Sequence, residues 1–240
     1  MHPFMSNLEK RVSALNWSEL QDSLAQYGYA RTPPVLTADE CGKLVRLYSD
    51  DSRFRSHIDM ARYRFGIGEY KYFAYPLPEI VEQLRYAFYP AVARVANLWA
   101  EQLGLDTKYP ATLTEFLAVC HKKGQRKPTP LLLKYESGGY NCLHQDLYGE
   151  IAFPLQLTCF LSEPGRDYTG GEFLLVEQRP RAQSKGEAIL PRRGEIVIFT
   201  TRYRPMRGTR GYYRASIRHG VSRILSGSRY TLGVIFHDAR

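Results

Sequence analysis

Apolar residues recur at intervals of three and four along the first half of the chain and at intervals of two along much of the second, so helices are expected first and strands after them. Leu15, Trp17, Leu20, Leu24 and Tyr27 form one stripe ending at Gly28, which predicts an amphipathic helix with Trp17 in the core. Thr32-Pro33-Pro34 breaks the chain. Thr37-Ala38-Asp39-Glu40 then has the Ser/Thr-x-x-Glu form of a capping box and starts a helix through about Tyr48. Ile80, Leu84, Phe88, Val92, Val95 and Trp99 predict a longer helix from Pro78 to about Leu103, kinked at Tyr89-Pro90 and backing a sheet. A second capping box, Thr112 to Glu115, starts a short helix to about His121, which beside Lys122 and Lys123 reads as exposed.

Beyond residue 128 short runs rich in β-branched and aromatic residues alternate with turn signals such as Gly138-Gly139, Gly170-Gly171 and Pro191. The expected strands are 131–136, 142–146, 153–161, 171–178, 195–200, 215–221 and 229–237. Such a pattern fits an α+β fold: a jelly-roll core over 129–240, buttressed by a helical layer over 1–128 in the same domain. A length of 240 residues suits one elaborated domain.

Composition narrows the setting. No run of about 18 apolar residues occurs, so no membrane-spanning helix is expected. The first residues have neither a basic start nor an apolar core, and a cytoplasmic location is the default expectation. Cys41, Cys120, Cys142 and Cys159 form no Cys-x-x-Cys pair, which argues against a zinc cluster or a disulfide framework and for reduced, mostly buried thiols. The net charge of +9 is unevenly placed. No acid lies between Glu195 and Asp238, where Arg202, Arg204, Arg207, Arg210, Arg214, Arg218, Arg223 and Arg229 occur, and Lys122, Lys123, Arg126, Lys127 and Lys134 fill a second acid-free stretch. Clustered cations suit a polyanionic partner or form a solvated basic face. Residues 207–214 are either a substrate loop or a disordered basic excursion.

The candidate chemistry centres on His144-Gln145-Asp146. In an extended segment alternate side chains share a face, so an imidazole and a carboxylate converge there. A mononuclear non-haem Fe(II) site takes two His and one carboxylate on one face of the metal and leaves the others open. His219 is the candidate third ligand. Cys142 shares the His144 face by alternation and reads either as a neighbour of the metal or, as its residue type favours, as core packing. Residues 58–75 interleave Arg62, Tyr63, Arg64, Tyr70 and Tyr72 around Gly66 and Gly68 and read as a hairpin or two short strands. Aromatics and cations so mixed are what a single-strand nucleic-acid surface uses, or strand formers in a half-buried hairpin.

At His144, Asp146, His219 and Arg229 the sequence resembles the iron(II)- and 2-oxoglutarate-dependent dioxygenases, which have a double-stranded β-helix fold. The resemblance implies Fe(II) held by His144, Asp146 and His219, dioxygen at an open position, and the distal carboxylate of 2-oxoglutarate on Arg229, assisted by Thr231 and Tyr135. A guanidinium meets a carboxylate bidentately, and Arg229 and Thr231 alternate by two on one expected strand. Leu133-Lys134-Tyr135, Leu143 to Asp146 and Arg229 to Leu232 look like segments of AlkB-type dealkylases, and the whole second half, with Thr169 to Glu177, looks like a bacterial branch of these oxygenases proposed to act on damaged DNA, the resemblance covering about residues 129–238. That likeness implies oxidation of N-alkylated nucleobases, with residues 58–75 as the substrate lid. Two departures stand out: Leu133 and Ile235 occupy positions where AlkB-type proteins carry an Asn and a second Arg. Hydroxylation of a protein side chain or small metabolite is the competing activity, and an idle nucleic-acid-binding domain the competing non-enzymatic role. His2, His57 and His237 have no usable partner spacing.

Overall fold

A computed structural model describes residues 6–146 and 149–240. In chain order it comprises α1 (Asn7–Ser13), α2 (Trp17–Tyr27), β1 (Tyr29–Arg31), α3 (Ala38–Leu47), β2 (Phe54–Asp59), β3 (Gly66–Ile67), β4 (Glu69–Phe73), α4 (Glu79–Gln102) and α5 (Leu113–Lys122). There follow β5 (Leu131–Glu136), β6 (Tyr140–His144), β7 (Leu155–Phe160), β8 (Tyr168–Gly170), β9 (Phe173–Gln178), β10 (Lys185–Ile189), β11 (Ile196–Thr200), β12 (Tyr203–Gly208), β13 (Gly211–Val221) and β14 (Ile224–Val234). The helix starts are set by local chemistry. Thr37 and Thr112 each accept from the amide three residues on, while Glu40 and Glu115 return the bond, closing both expected capping boxes; Ser6 and Glu9 close another at α1. Gly28 ends α2 in the left-handed conformation. Helix α4 continues through Pro90.

The strands form two antiparallel sheets. One has the order β1-β11-β7-β14-β5-β4-β2 with β8 on β14, and the other β10-β9-β13-β6-β3 with β12 on β13. Together they make the expected jelly roll. Sequence reasoning missed β1, β8, β10 and β12, and the N-terminal part supplies β1 to β4 to the sheets as well as helices. Residues 207–214 are not a disordered excursion but the turn and flanking strand ends of the β12–β13 hairpin.

Period-two alternation decides what each sheet face meets. Ile196 and Ile198 of β11, Leu155, Leu157 and Cys159 of β7, and Leu232 and Val234 of β14 pack with Phe88, Val92, Val95 and Trp99 of α4. The intervening Val197, Phe199 and Phe160 face inward and meet Phe173, Leu175 and Ile217 of the other sheet. Strands buried on both faces read as continuous apolar runs. Trp17 is half-buried and packs edge-on to Phe88 at 5.7 Å, so it borders the core. Cys41, Cys120 and Cys159 are buried as expected, but Cys142 is exposed.

The end of the chain is tied to the helices by a buried charge pair. Arg85 of α4 donates to the carbonyls of Ile235 and Phe236 and meets the Asp238 carboxylate at 2.7 Å, both side chains being almost fully buried. Tyr75 and His121 complete the ring around Asp238, so the half-exposed His121 is a partner of a buried acid. His237 is buried and accepts from the Phe153 amide; burial, reinforced by Arg85, lowers its pKa to about 4 and keeps it neutral.

Replacing Asp238 by Ala would leave Arg85 charged and unpaired in the interior, and a loss of about 3–5 kcal/mol in urea denaturation is expected. A second expectation concerns acid. An unfolded His takes up its proton near pH 6.5 and folded His237 only near 4, so stability should fall as pH drops through that window. His237→Leu should flatten that fall relative to the native protein; an identical pH profile would rule the residue out as its source.

Candidate active site

Pairing between β13 and β6 sets His219 opposite His144. Between that pair and the next, Val221 with Asn141, the register shifts by a bulge on β6. There the β6 backbone passes so close to Gly220 that an added Cβ would lie 2.7 Å from the Asn141 carbonyl oxygen, which explains the glycine. The bulge also turns Asn141 toward the cavity that Cys142 shares with His144. Asp146 lies just beyond β6, held by its amide to the Thr201 carbonyl and by Gln156 Nε2 donating to Oδ2 at 2.6 Å. Gln145, between the two ligands, spends its amide on the carbonyls of Arg202 and Ile217 and the hydroxyl of Ser216. The ligand loop is thereby pinned to β13.

One ligand atom from each of His144, Asp146 and His219 lies within 4.8 Å of the others. His144 Nε2 is 3.5 Å from Asp146 Oδ1, and His219 Nε2 is 3.3 Å from Oδ2. Ligands about 2.0–2.2 Å from a metal and cis to each other would stand roughly 3 Å apart, so the set fits an ion with little movement. His144 Nδ1 sits 2.7 Å from the Cys142 carbonyl, where it donates and leaves the Nε2 lone pair free for a metal. Burial opposes the charge on Asp146, but His219, His144 and Gln156 outweigh it and hold its carboxyl well below the usual range. Burial, then His219, lowers the pKa of His144, favouring its neutral, metal-binding form.

These three side chains line a cavity of about 330 Å³ whose opposite wall is built from inward positions of β4, β5 and β14. Arg229 on β14 is almost fully buried, with Nε and Nη2 unpartnered. Its guanidinium lies among the rings of Phe160, Tyr135 and Tyr168 at 5.1, 5.6 and 6.0 Å. Burial lowers its pKa, and it has no carboxylate partner among the described residues. A buried cation left this way is costly unless an anion completes it. Space for it comes from Gly171, where an added Cβ would stand 3.0 Å from Arg229 Cδ. Thr231 lines the same wall. Tyr135 accepts from Asn141 Nδ2 at 3.2 Å, and burial pushes its pKa up to about 12, so it remains a neutral phenol. The walls between are apolar, with Leu131, Leu133 and Ile235 among them.

The structure divides the expected substrate residues. Arg64, Tyr70 and Tyr72 line the cavity, the two tyrosines edge to face at 5.5 Å. Arg62 is 81% exposed, lies 3.7 Å from Asp59, and borders a separate groove with His57 and Glu69. Tyr63, 56% exposed, stacks on Phe65, and it is Phe65 that reaches the cavity. Cys142 lines the cavity too, so core packing is not its role. Gln145, Gln156, Asn141 and Tyr168 escaped sequence reasoning. Their roles depend on how the strands pack, even where the partner is only six or ten residues away, as for Asn141 with Tyr135 and Gln156 with Asp146, and only Gln145, framed by His144 and Asp146, carried a local signal. His2 lies outside the described residues.

Over residues 68–239 the chain matches the model of a family described as an oxygenase catalysing oxidative methylation of damaged DNA. It is 52% identical over 167 residues to an uncharacterized protein of Mycobacterium tuberculosis, covering 70% of this chain and 72% of the relative. Among solved structures it is similar to a prolyl-4-hydroxylase of Pseudomonas putida, with a TM-score of 0.56 and 15% identity over 93% of this chain and 99% of that one. A Trichoplax adhaerens prolyl hydroxylase in complex with a hypoxia inducible factor peptide gives 0.57 and 15% over 95% and 91%. An oxidoreductase of the 2OG-Fe(II) oxygenase family from Burkholderia pseudomallei gives 0.51 and 12%, with 93% of each chain covered. At these identities the likeness establishes the fold.

Gln156 is the sharpest test of the metal geometry. Gln156→Leu should weaken Fe(II) binding about 10- to 100-fold in an anaerobic titration, because Asp146 loses the bond that orients it. An unchanged affinity would deny Gln156 that role.

Proposed function

The chain belongs to this oxygenase family, and from that premise we propose that it is an Fe(II)- and 2-oxoglutarate-dependent dioxygenase that oxidises N-alkyl groups on nucleobases. One observation carries the cosubstrate assignment: a fully buried, unpaired guanidinium in the same cavity as a His-Asp-His set. Arg229 would take the distal carboxylate of 2-oxoglutarate bidentately, in surroundings where charge-assisted bonds gain strength from the absence of water. The Thr231 hydroxyl and the neutral Tyr135 phenol stand on the same wall to accept or donate a further bond.

When bound, the iron supplies, with dioxygen and 2-oxoglutarate, the oxidising power that replaces a substrate C–H by C–OH, the cosubstrate leaving as succinate and carbon dioxide. On an N-methyl group the product is a hemiaminal, which loses formaldehyde without an enzymic base. The protein's own work is to hold and exclude. The Cys142 carbonyl fixes the His144 tautomer, Gln156 and the Thr201 carbonyl orient Asp146, and Leu131, Leu133 and Ile235 keep the cosubstrate side dry.

Damaged nucleic acid as substrate is supported by the family's description and by the AlkB-like core motifs. The cavity's open side adds to this, because Arg64, Phe65, Tyr70 and Tyr72 offer planar and cationic surfaces to a base. Leu133 and Ile235 leave that pocket more apolar than an AlkB-type site. A base in a duplex would have to be flipped out at a cost of a few kcal/mol, so single strands and damaged pairs should react first.

Succinate release should rise with a methylated single-stranded oligonucleotide, stay low with its unmodified twin, and vanish in His219→Ala. Arg229→Gln should raise the KM for 2-oxoglutarate on the order of 100-fold, as expected from losing about 3 kcal/mol of charge-assisted hydrogen bonding. Equal slow turnover with both strands, abolished by the His219 variant, would keep the oxygenase and turn the search to protein side chains and metabolites.

A further inference from the structure

Strand β13 carries His219 at one end and continues beyond the barrel as the β12–β13 hairpin. Strands β6 and β12 share one edge of β13 end to end, and the Gln145 side chain fills the gap between them. The hairpin therefore rises directly from the loop that holds Asp146.

Its two faces have different chemistry. On the inner face Arg204 is buried, paired with Glu177 at 2.7 Å and donating to the Ala25 carbonyl at the end of α2. On the outer face Tyr203, Pro205 and Arg207 stand opposite Ser216, Arg214 and Tyr212; Pro205 is buried and Tyr203 half-buried, so the open part of this face is Arg207 with Tyr212, Arg214 and, two residues after Ser216 on the same side, Arg218. Arg202, Arg207, Arg210, Arg214 and Arg218 are all exposed. None makes an ion pair among the described residues, and Glu177, the neighbouring acid on β9, is already shared by Arg179 and Arg204. The Tyr203 ring has the Arg214 guanidinium at 4.9 Å and that of Arg202 at 5.7 Å.

We propose that this outer face is a tracking surface for a single nucleic-acid strand, holding the nucleotides that flank the base in the cavity; it rests on the nucleic-acid reading above. Side chains two apart on a strand are about 6.8 Å apart, close to the step between phosphates of an extended chain. From His219 to Tyr212 β13 rises roughly 23 Å, room for about four nucleotides, the low end for such surfaces. Arginine forks suit phosphate, and the exposed Tyr212 with the cation-flanked Tyr203 offers π-faces for bases. No aliphatic side chain is exposed on the hairpin, which disfavours a membrane surface, and tyrosine rings standing beside unpaired guanidiniums, Tyr203 between Arg202 and Arg214, favour a strand of nucleotides over an acidic peptide.

The test is binding of the whole protein to an unmodified single-stranded oligonucleotide between about 50 and 200 mM salt. Replacing Arg207, Arg214 and Arg218 together by Gln should weaken binding at least tenfold at the lower salt. It should also reduce the slope of log affinity against log salt by about two, since each single-strand phosphate contact is worth roughly 0.7. The same three changed to Lys should keep the slope, which separates lost contacts from lost folding. Changing Lys10, Lys43 and Arg46 on the helical layer to Gln removes equal charge and should leave the slope as it was. Equal effects from the two Gln triples, or a native slope in the hairpin triple, would overturn the hairpin while leaving the nucleic-acid substrate standing. If the native protein neither binds the strand with salt dependence nor releases more succinate with a methylated one, the substrate reading itself fails and the hairpin with it.

Discussion

The antiparallel register of β13 against β6 is the constraint on which the site depends. It places His219 across from His144 with the two rings 4.2 Å apart, and Asp146 beyond the strand end within reach of both. A slip of one residue would turn every side chain of β13 to the opposite face and exchange His219 for Arg218 or Gly220. Several features hold the register at once: the Gln145 side chain bonded to β13, the bulge that needs Gly220, and the pairing of β13 with β9 on its other edge.

Energetically the cavity holds the one buried arginine that lacks a counterion among the described residues. Elsewhere buried charges are matched: Arg85 with Asp238, Arg204 with Glu177. Arg229 is not, and His219 Nδ1 has no partner. Unpaired polar atoms of this kind lower stability, and a fold tolerates them where a ligand completes them. The rigid layer of α4 behind β7, β11 and β14 supplies the burial that offsets this cost. The cavity walls can thus remain preorganised before any cosubstrate arrives.

Two neighbouring arginines on one hairpin show how position, not residue type, decides role. Arg204 points inward and is consumed by Glu177 and a helix carbonyl, whereas Arg207 points outward and stays free. Counting cations in the sequence could not distinguish them. The same holds for Tyr63 and Tyr70, near neighbours in the chain, of which one stacks at the rim and the other lines the cavity. Cys142 looked like core by residue type, yet it lines the cavity on the face that alternation with His144 gives it.

Much of the architecture was legible because it is local. Capping boxes, the α4 stripe, the alternating runs and the His-x-Asp pair each depend on residues within a few positions of one another, and short-range sterics and hydrogen bonding express them wherever they occur. His219, Arg229 and Thr231 could be named from the chain by their resemblance to a family pattern. What only tertiary structure decided was which groups become neighbours: that Gln145 bonds to β13 and Gln156 to Asp146, that Arg229 is buried without a counterion, and that the β12–β13 hairpin has one face spent and one free. Those outcomes are set by the packing of the whole molecule, whether the partners lie ten residues apart, as Gln156 and Asp146 do, or 72, as Gln145 and Ile217 do.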